Sequence, residues 1–343
     1  MRLALSVLGA ALVGAVVSLP AGAASGGASF ALVPQHYDPR LASTQSYFVI
    51  AAHPGDTVTN SVRVRNVGTQ SGTALLYPAD ATTGQTSGAV YLDRTKARRG
   101  VGAWVTLGAR SVTLGPGESR VVPVTVHVPA SAKPGDHLGG IVAENAAVSG
   151  GGSGALRIRV RHLTIAAVLV QIPGQAMAAI AVTGARAGGE HGYQYVYLHL
   201  NSSGSLTTKP SGRLTVTDST GKVVASRIFE LDTFVPRTAI DYPILLPRVA
   251  LRPGAYRAKV DLTYAAAAIG YRSAAGQGTT VSRSFSFTVS GGQYAHVFRG
   301  APPVRETPKA TASSGVPVTV WLVAGLAVLA AATFAALGVR RWG

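Results

Sequence analysis

Arg157, Arg159 and Arg161 alternate with Leu156, Ile158 and Val160. Successive side chains of a strand point to opposite faces, so on a strand all three guanidiniums leave from one side. A guanidinium is a planar fork of N–H donors that matches carboxylates and phosphates. The row could therefore clamp stem-peptide carboxylates or polymer phosphates, and it equally suits a solvated outer face. Arg94, Lys96, Arg98 and Arg99 form a second basic cluster, either a binding patch or a solvated loop. Tyr193, Tyr195 and Tyr197 share one parity, with Val196, Leu198 and Leu200 on the other. An exposed tyrosine ladder can stack on sugar rings or meet a protein partner, while a covered one packs across strands. In Leu138-Gly139-Gly140-Ile141, the glycines Gly139 and Gly140 mark close approach by another backbone or a ligand, or else a bulge.

Residues for catalysis are harder to find. The eight histidines are scattered. His53 with Asp56, and Asp136 with His137, sit in turn-like segments, without the spacing of a helical zinc motif. Gly151-Gly152-Ser153-Gly154-Ala155 misses the nucleophile-elbow pattern by its last glycine and has no strand-to-helix setting. There are no cysteines, no phosphate loop, and no paired-carboxylate site among the 14 acids. No catalytic residue, metal ligand or cofactor is predicted, and the expectation is a protein that is not an enzyme.

The elements that must carry these residues are short strands. Val122, Val124, Val126 and Val128 alternate with Val121, Pro123, Thr125 and His127, the period-2 signal of a half-buried strand. Pro123 in mid-run predicts an edge strand or a bulge. Similar runs recur between turns such as His53-Pro54-Gly55-Asp56 and Gly115-Pro116-Gly117-Glu118. Many short strands at this spacing predict an all-β chain of two immunoglobulin-like β-sandwiches. The first spans 28–172, the second 176–290, with a boundary at Ile172-Pro173-Gly174-Gln175. Leu114-Gly115-Pro116-Gly117 and Leu251-Arg252-Pro253-Gly254 each precede an alternating strand, one in each half. Residues 291–315, with three prolines, read as a linker.

Both ends are apolar. Met1-Arg2, the apolar run Leu3–Val17 and small residues at Ala21 and Ala23 predict a secretory signal over 1–23. Val316–Val339 is uncharged and long enough for a transmembrane helix, followed by the short basic tail 340–343. The expected topology is a single-pass plasma-membrane protein with its body outside. Lys+Arg is 31 against 14 acids, a net charge of +17. Outside a cell such charge favours anionic wall polymers, lipid headgroups or acidic partners. That topology, and the lack of an aromatic-basic motif, argue against nucleic acid.

Several phrases resemble the WxL-interacting protein family of Gram-positive bacteria. In the first half these are Phe30-Ala31-Leu32-Val33-Pro34, Tyr47-Phe48 with Pro54-Gly55, Val62-Arg63-Val64-Arg65-Asn66, Gly88-Ala89-Val90-Tyr91, Gly115-Pro116-Gly117 and Leu138-Gly139-Gly140-Ile141. In the second half the phrase is Leu251-Arg252-Pro253-Gly254-Ala255-Tyr256. The resemblance implies a peptidoglycan-binding domain, then a host-binding domain, then a membrane helix, acting by binding. The expected partners are peptidoglycan or an anionic wall polymer, an exported surface protein, and the membrane through the C-terminal helix. Two other readings stand beside it: an assembly helper working through sandwich edge strands, and a wall-modifying enzyme.

Overall fold

The computed structural model describes residues 27–151, 158–273, 278–299 and 303. The signal segment, Arg157 and the apolar run 316–339 lie outside these residues. Among the described residues, no helix is long and apolar enough to cross a membrane.

The first domain runs β1 (Phe30–Pro34), β2 (Phe48–Ala51), β3 (Thr57–Asn66), β4 (Gly72–Gly84), β5 (Gly88–Tyr91), α1 (Val101–Trp104), β6 (Val105–Leu107), β7 (Ser111–Leu114), β8 (Ser119–His127), β9 (Gly135–Asn145), β10 (Ser149–Gly151), β11 (Ile158–Val160) and β12 (Leu163–Ile172). One sheet has the order β1-β3-β8-β6 and the other β2-β12-β9-β4-β5, with β7 also on β4. Their inner faces share one core, into which Val122, Val124, Val126 and Val128 point from β8. Full burial of each valine contributes roughly 1.5–3 kcal/mol relative to exposure.

Pro123 does not mark an edge, because β8 lies between β3 and β6. The Pro123 carbonyl accepts from Gly108 N–H, so its nitrogen faces the same side. There β6 has already ended at Leu107, opposite Val124, and the missing N–H leaves no ladder bond unmade.

The second domain runs β13 (Ile180–Glu190), β14 (Tyr193–Ser202), β15 (Ser211–Asp218), β16 (Val223–Glu230), β17 (Ala239–Leu245), β18 (Gly254–Tyr264), β19 (Thr279–Val289) and α2 (Gly291–Phe298). Sheets β13-β14-β17 and β16-β15-β18-β19 enclose a second core around Leu198, Leu214, Val260 and Leu262. The stretch expected to open a linker instead forms α2. Ser290 and Gln293 close a capping box, and Val297 and Phe298 are buried. The Gly192 N–H donates to the Val297 carbonyl at 2.7 Å, which ties α2 to the β13–β14 turn.

Each Leu-x-Pro-Gly turn is held by a buried amide side chain. Asn66 Nδ2 donates to the Leu114 and Gln70 carbonyls, and its Oδ1 accepts from Ser29 and Gly68 N–H. Gln194 Nε2 donates to the Leu251 carbonyl and its Oε1 accepts from Leu251 N–H. A buried polar group must be bonded or it costs stability, and these two spend that requirement on fixing where a turn begins.

Candidate functional site

The outer face of the sheet containing β4, β9 and β12 carries a buried charge. Ile141 and Ala143 of β9 point into the core, so Val142 and Glu144 face outward. In register, Glu144 lies between Leu75 of β4 and Leu163 of β12, and Val142 between Tyr77 and Ile165. The Glu144 side chain is nevertheless only 3% exposed. The Tyr77 hydroxyl donates to its Oε2 at 3.1 Å. Arg161 Nη1 lies 3.6 Å from Oε1 and Arg94 Nε 4.0 Å from Oε2. Burial, then the adjacent Glu144 charge, push the Tyr77 phenol up to about 12, so it remains a hydrogen-bond donor.

Thus the structure brings together one residue from each predicted basic cluster, Arg94 and Arg161. Of the arginine row's described members, Arg159 and Arg161 do not share one strand. Strand β11 ends at Val160, and Arg161 sits in the step before β12, where it turns to the Glu144 carboxylate. Arg159 lies within β11, paired with Gly150. Lys96, Arg98 and Arg99 lie in the exposed segment after β5. Asp80 organises the end of that segment by accepting from the N–H groups of Arg99, Gly100 and Gly102.

Gly139 and Gly140 are packing residues. A Cβ on Gly139 would lie 2.7 Å from the Ala79 carbonyl oxygen and from Val101. On Gly140 it would lie 2.8 Å from Ile165 and from the Tyr91 ring. The two glycines thus let α1 and β5 close on opposite faces of β9.

The tyrosine ladder lies on the outer face of β14, half-buried, with Tyr195 and Tyr197 ring centroids 5.8 Å apart. The Arg186 guanidinium sits 4.2 Å from the Tyr197 ring centroid and pairs with Asp241 at 3.0 Å. The ladder forms one wall of an open groove of about 1090 Å³. Phe229, Tyr242, Pro243 and Ile244 complete its apolar lining, with Ile228 on the rim, 68% exposed. Strands β16 and β17, which flank it, are each at the edge of their sheets.

Residues 30–145 match the WxL Interacting Protein, peptidoglycan binding domain. Over these residues, about a third of the chain, the sequence is similar to that domain of the WxL-interacting protein family. No curated protein matches it. Its fold is similar to solved bacterial chaperones at low scores. The class 5 fimbriae chaperone CfaA has 11% identity and a TM-score of 0.36, over 74% of this chain and 99% of the chaperone. The E. coli chaperone DraB has 14% identity and a TM-score of 0.33, over 76% and 97%. A chaperone–tip adhesin complex of CFA/I fimbriae biogenesis has 11% identity and a TM-score of 0.35, over 74% and 98%.

The match ends at Asn145, within the first sandwich, and it includes Tyr77, Arg94 and Glu144. Sequence reasoning did not single out Tyr77 as a site residue. Its partner Glu144 lies 67 residues away in the chain, so no local pattern points to the pair.

A second charged centre joins the two domains. Asp136 of β9 is 1% exposed and accepts from both terminal nitrogens of Arg272, at 2.6 and 2.9 Å. It also accepts from Gln171 Nε2 and from Thr207 N–H, while its own N–H donates to the Ser205 carbonyl. Burial pushes the Asp136 carboxyl up, but Arg272, Thr207 and Gln171 together hold it below the usual carboxylate range. Thr83 adds a second tie, with its hydroxyl 2.6 Å from that of Thr238 and accepting from Val235 N–H.

Proposed function

We propose that this is a non-catalytic, single-pass surface protein of the plasma membrane. Its body stands outside the cell as two immunoglobulin-like sandwiches, exported by the 1–23 signal and held by a 316–339 helix. The first domain binds peptidoglycan or an attached wall polymer, and the second binds an exported partner protein. The observation that carries the reading is the peptidoglycan-binding match over residues 30–145. The test is co-sedimentation of the full chain, in non-ionic detergent, with purified sacculi before and after removal of anionic polymers, across a salt series. Binding that survives both treatments supports a specific wall-binding domain. Binding lost with either one reduces the interaction to generic attraction by the +17 charge.

The partner role of the second domain is supported by the groove between β16 and β17. Free strand edges next to apolar pockets suit an extended segment that adds as a further strand. The same observation favours the assembly-helper reading, in which the bound segment belongs to an exported subunit. Ile228→Lys places a charge on the rim of this groove and is expected to abolish capture of the exported partner while leaving sacculus binding unchanged. Equal capture by the variant would remove the groove from the reading.

A further inference from the structure

The Arg94 and Arg161 side chains are held over a carboxylate without being consumed by it. Their distances to Glu144, 4.0 and 3.6 Å, exceed hydrogen-bond length. Coulomb attraction gathers the two guanidiniums, while their side chains remain about half exposed, at 47% and 53%. Asp93, next in the chain, accepts from the N–H and hydroxyl of Thr95, and Lys96 follows it. Three cations (Arg94, Lys96, Arg161) thus face two anions (Asp93, Glu144), so the cluster favours a further negative group. Leu163, 48% exposed, and Leu75 flank Glu144 in the same row.

We propose that Arg94 and Arg161 form a carboxylate-binding site for the free C-terminal end of a short peptide with small aliphatic side chains, such as a wall stem peptide. The inference rests on the wall-binding role proposed above and names the part of the polymer that is held. Each guanidinium offers parallel N–H donors to the ligand carboxylate, the geometry in which arginine binds most strongly. Leu75 and Leu163 take the adjacent methyl group. A polyol phosphate would satisfy the guanidiniums but leave both leucines without an apolar partner. Glu144 is a positioning residue, because it touches the arginines and not the ligand.

The probe is an acetylated lysyl-D-alanyl-D-alanine peptide, titrated against the full chain in detergent and followed by calorimetry. Its C-terminal amide and glycerol phosphate serve as comparisons. The free acid is expected to bind at least tenfold more tightly than the amide, and glycerol phosphate is expected not to displace it. Arg94→Ala with Arg161→Ala should weaken the acid at least tenfold, and the single Arg→Gln changes should weaken it less, with unchanged melting. Glu144→Gln keeps the acceptor for Tyr77 and should lower affinity several-fold in the folded protein. A Glu144 with a merely structural role would lower melting and leave that affinity unchanged. Equal binding of acid and amide, displacement by glycerol phosphate, or a double variant that binds like the unaltered protein would each overturn the proposal. Sacculus sedimentation in parallel separates the two failures. Sacculi retained without peptide binding remove this site alone, and sacculi not retained by the unaltered protein remove the wall-binding role.

Discussion

Asn66 makes four hydrogen bonds with one amide, joining Ser29 just before β1, the β3–β4 turn and the end of β7. Asn66→Ala leaves buried backbone groups unpaired, each costing about 1–3 kcal/mol. The expected result is a loss of several kcal/mol of stability, measured by denaturant unfolding, far beyond an exposed change such as Thr59→Ala. Gly140→Val tests a different kind of constraint, since its added atoms meet Ile165 and the Tyr91 ring. Overpacking of this sort costs roughly 1–3 kcal/mol, and thermal unfolding should show a lower midpoint. Gly140 stood out in the sequence as one of a glycine pair, whereas Asn66 was only the last residue of a phrase that resembles the family. The pattern marked only Gly140 as special. It did not show what either residue touches, because their partners come from segments distant in sequence: Leu114 for Asn66, Tyr91 and Ile165 for Gly140.

At the scale of elements, periodicity located strands well where one face is buried and the other is not. The valines of β8 and the even-numbered Val196, Leu198 and Leu200 of β14 point inward as their parity predicts. Periodicity located neighbours poorly. Pro123 predicts an edge strand or a bulge, yet β8 is an interior strand in unbroken register with β3, because a three-residue partner such as β6 leaves room for a proline beyond its end. The alternating arginines suggested one strand, but the chain steps between β11 and β12, which sends Arg161 to Glu144. Residues 291–315 read as linker from their three prolines, yet over 291–298 tertiary burial of Val297 and Phe298 stabilises a short helix. Ser290→Ala removes the side-chain half of its capping box and should cost about 1 kcal/mol. Faster amide hydrogen exchange in residues 291–298 would register the loss.

At the scale of the whole molecule, Asp136 and Arg272 decide how the two domains meet. Breaking a buried pair by removing one partner typically costs about 3–5 kcal/mol. Arg272→Ala should therefore loosen the domain junction, seen as an increased radius of gyration in small-angle scattering. The Asp136 carboxyl is held below its ordinary value in the folded protein. Its contribution is present above the unfolded value, about 3.9, and is lost as pH falls through the lower folded value. The junction should stay closed at neutral and mildly acidic pH and open only in stronger acid, whereas Asp136→Asn should weaken it at every pH. The sequence by itself determined the all-β class, the two-part body, the inward face of the clearest strands and the likeness of its first half to a peptidoglycan-binding domain, because these depend on local alternation, turn residues and short phrases. Only the tertiary structure decided which charges meet. Arg94, Glu144 and Arg161 come from three separate segments, and Asp136 and Arg272 from two domains. Their pairing is set by strand order and register across the sheets, which alternation along one strand does not encode.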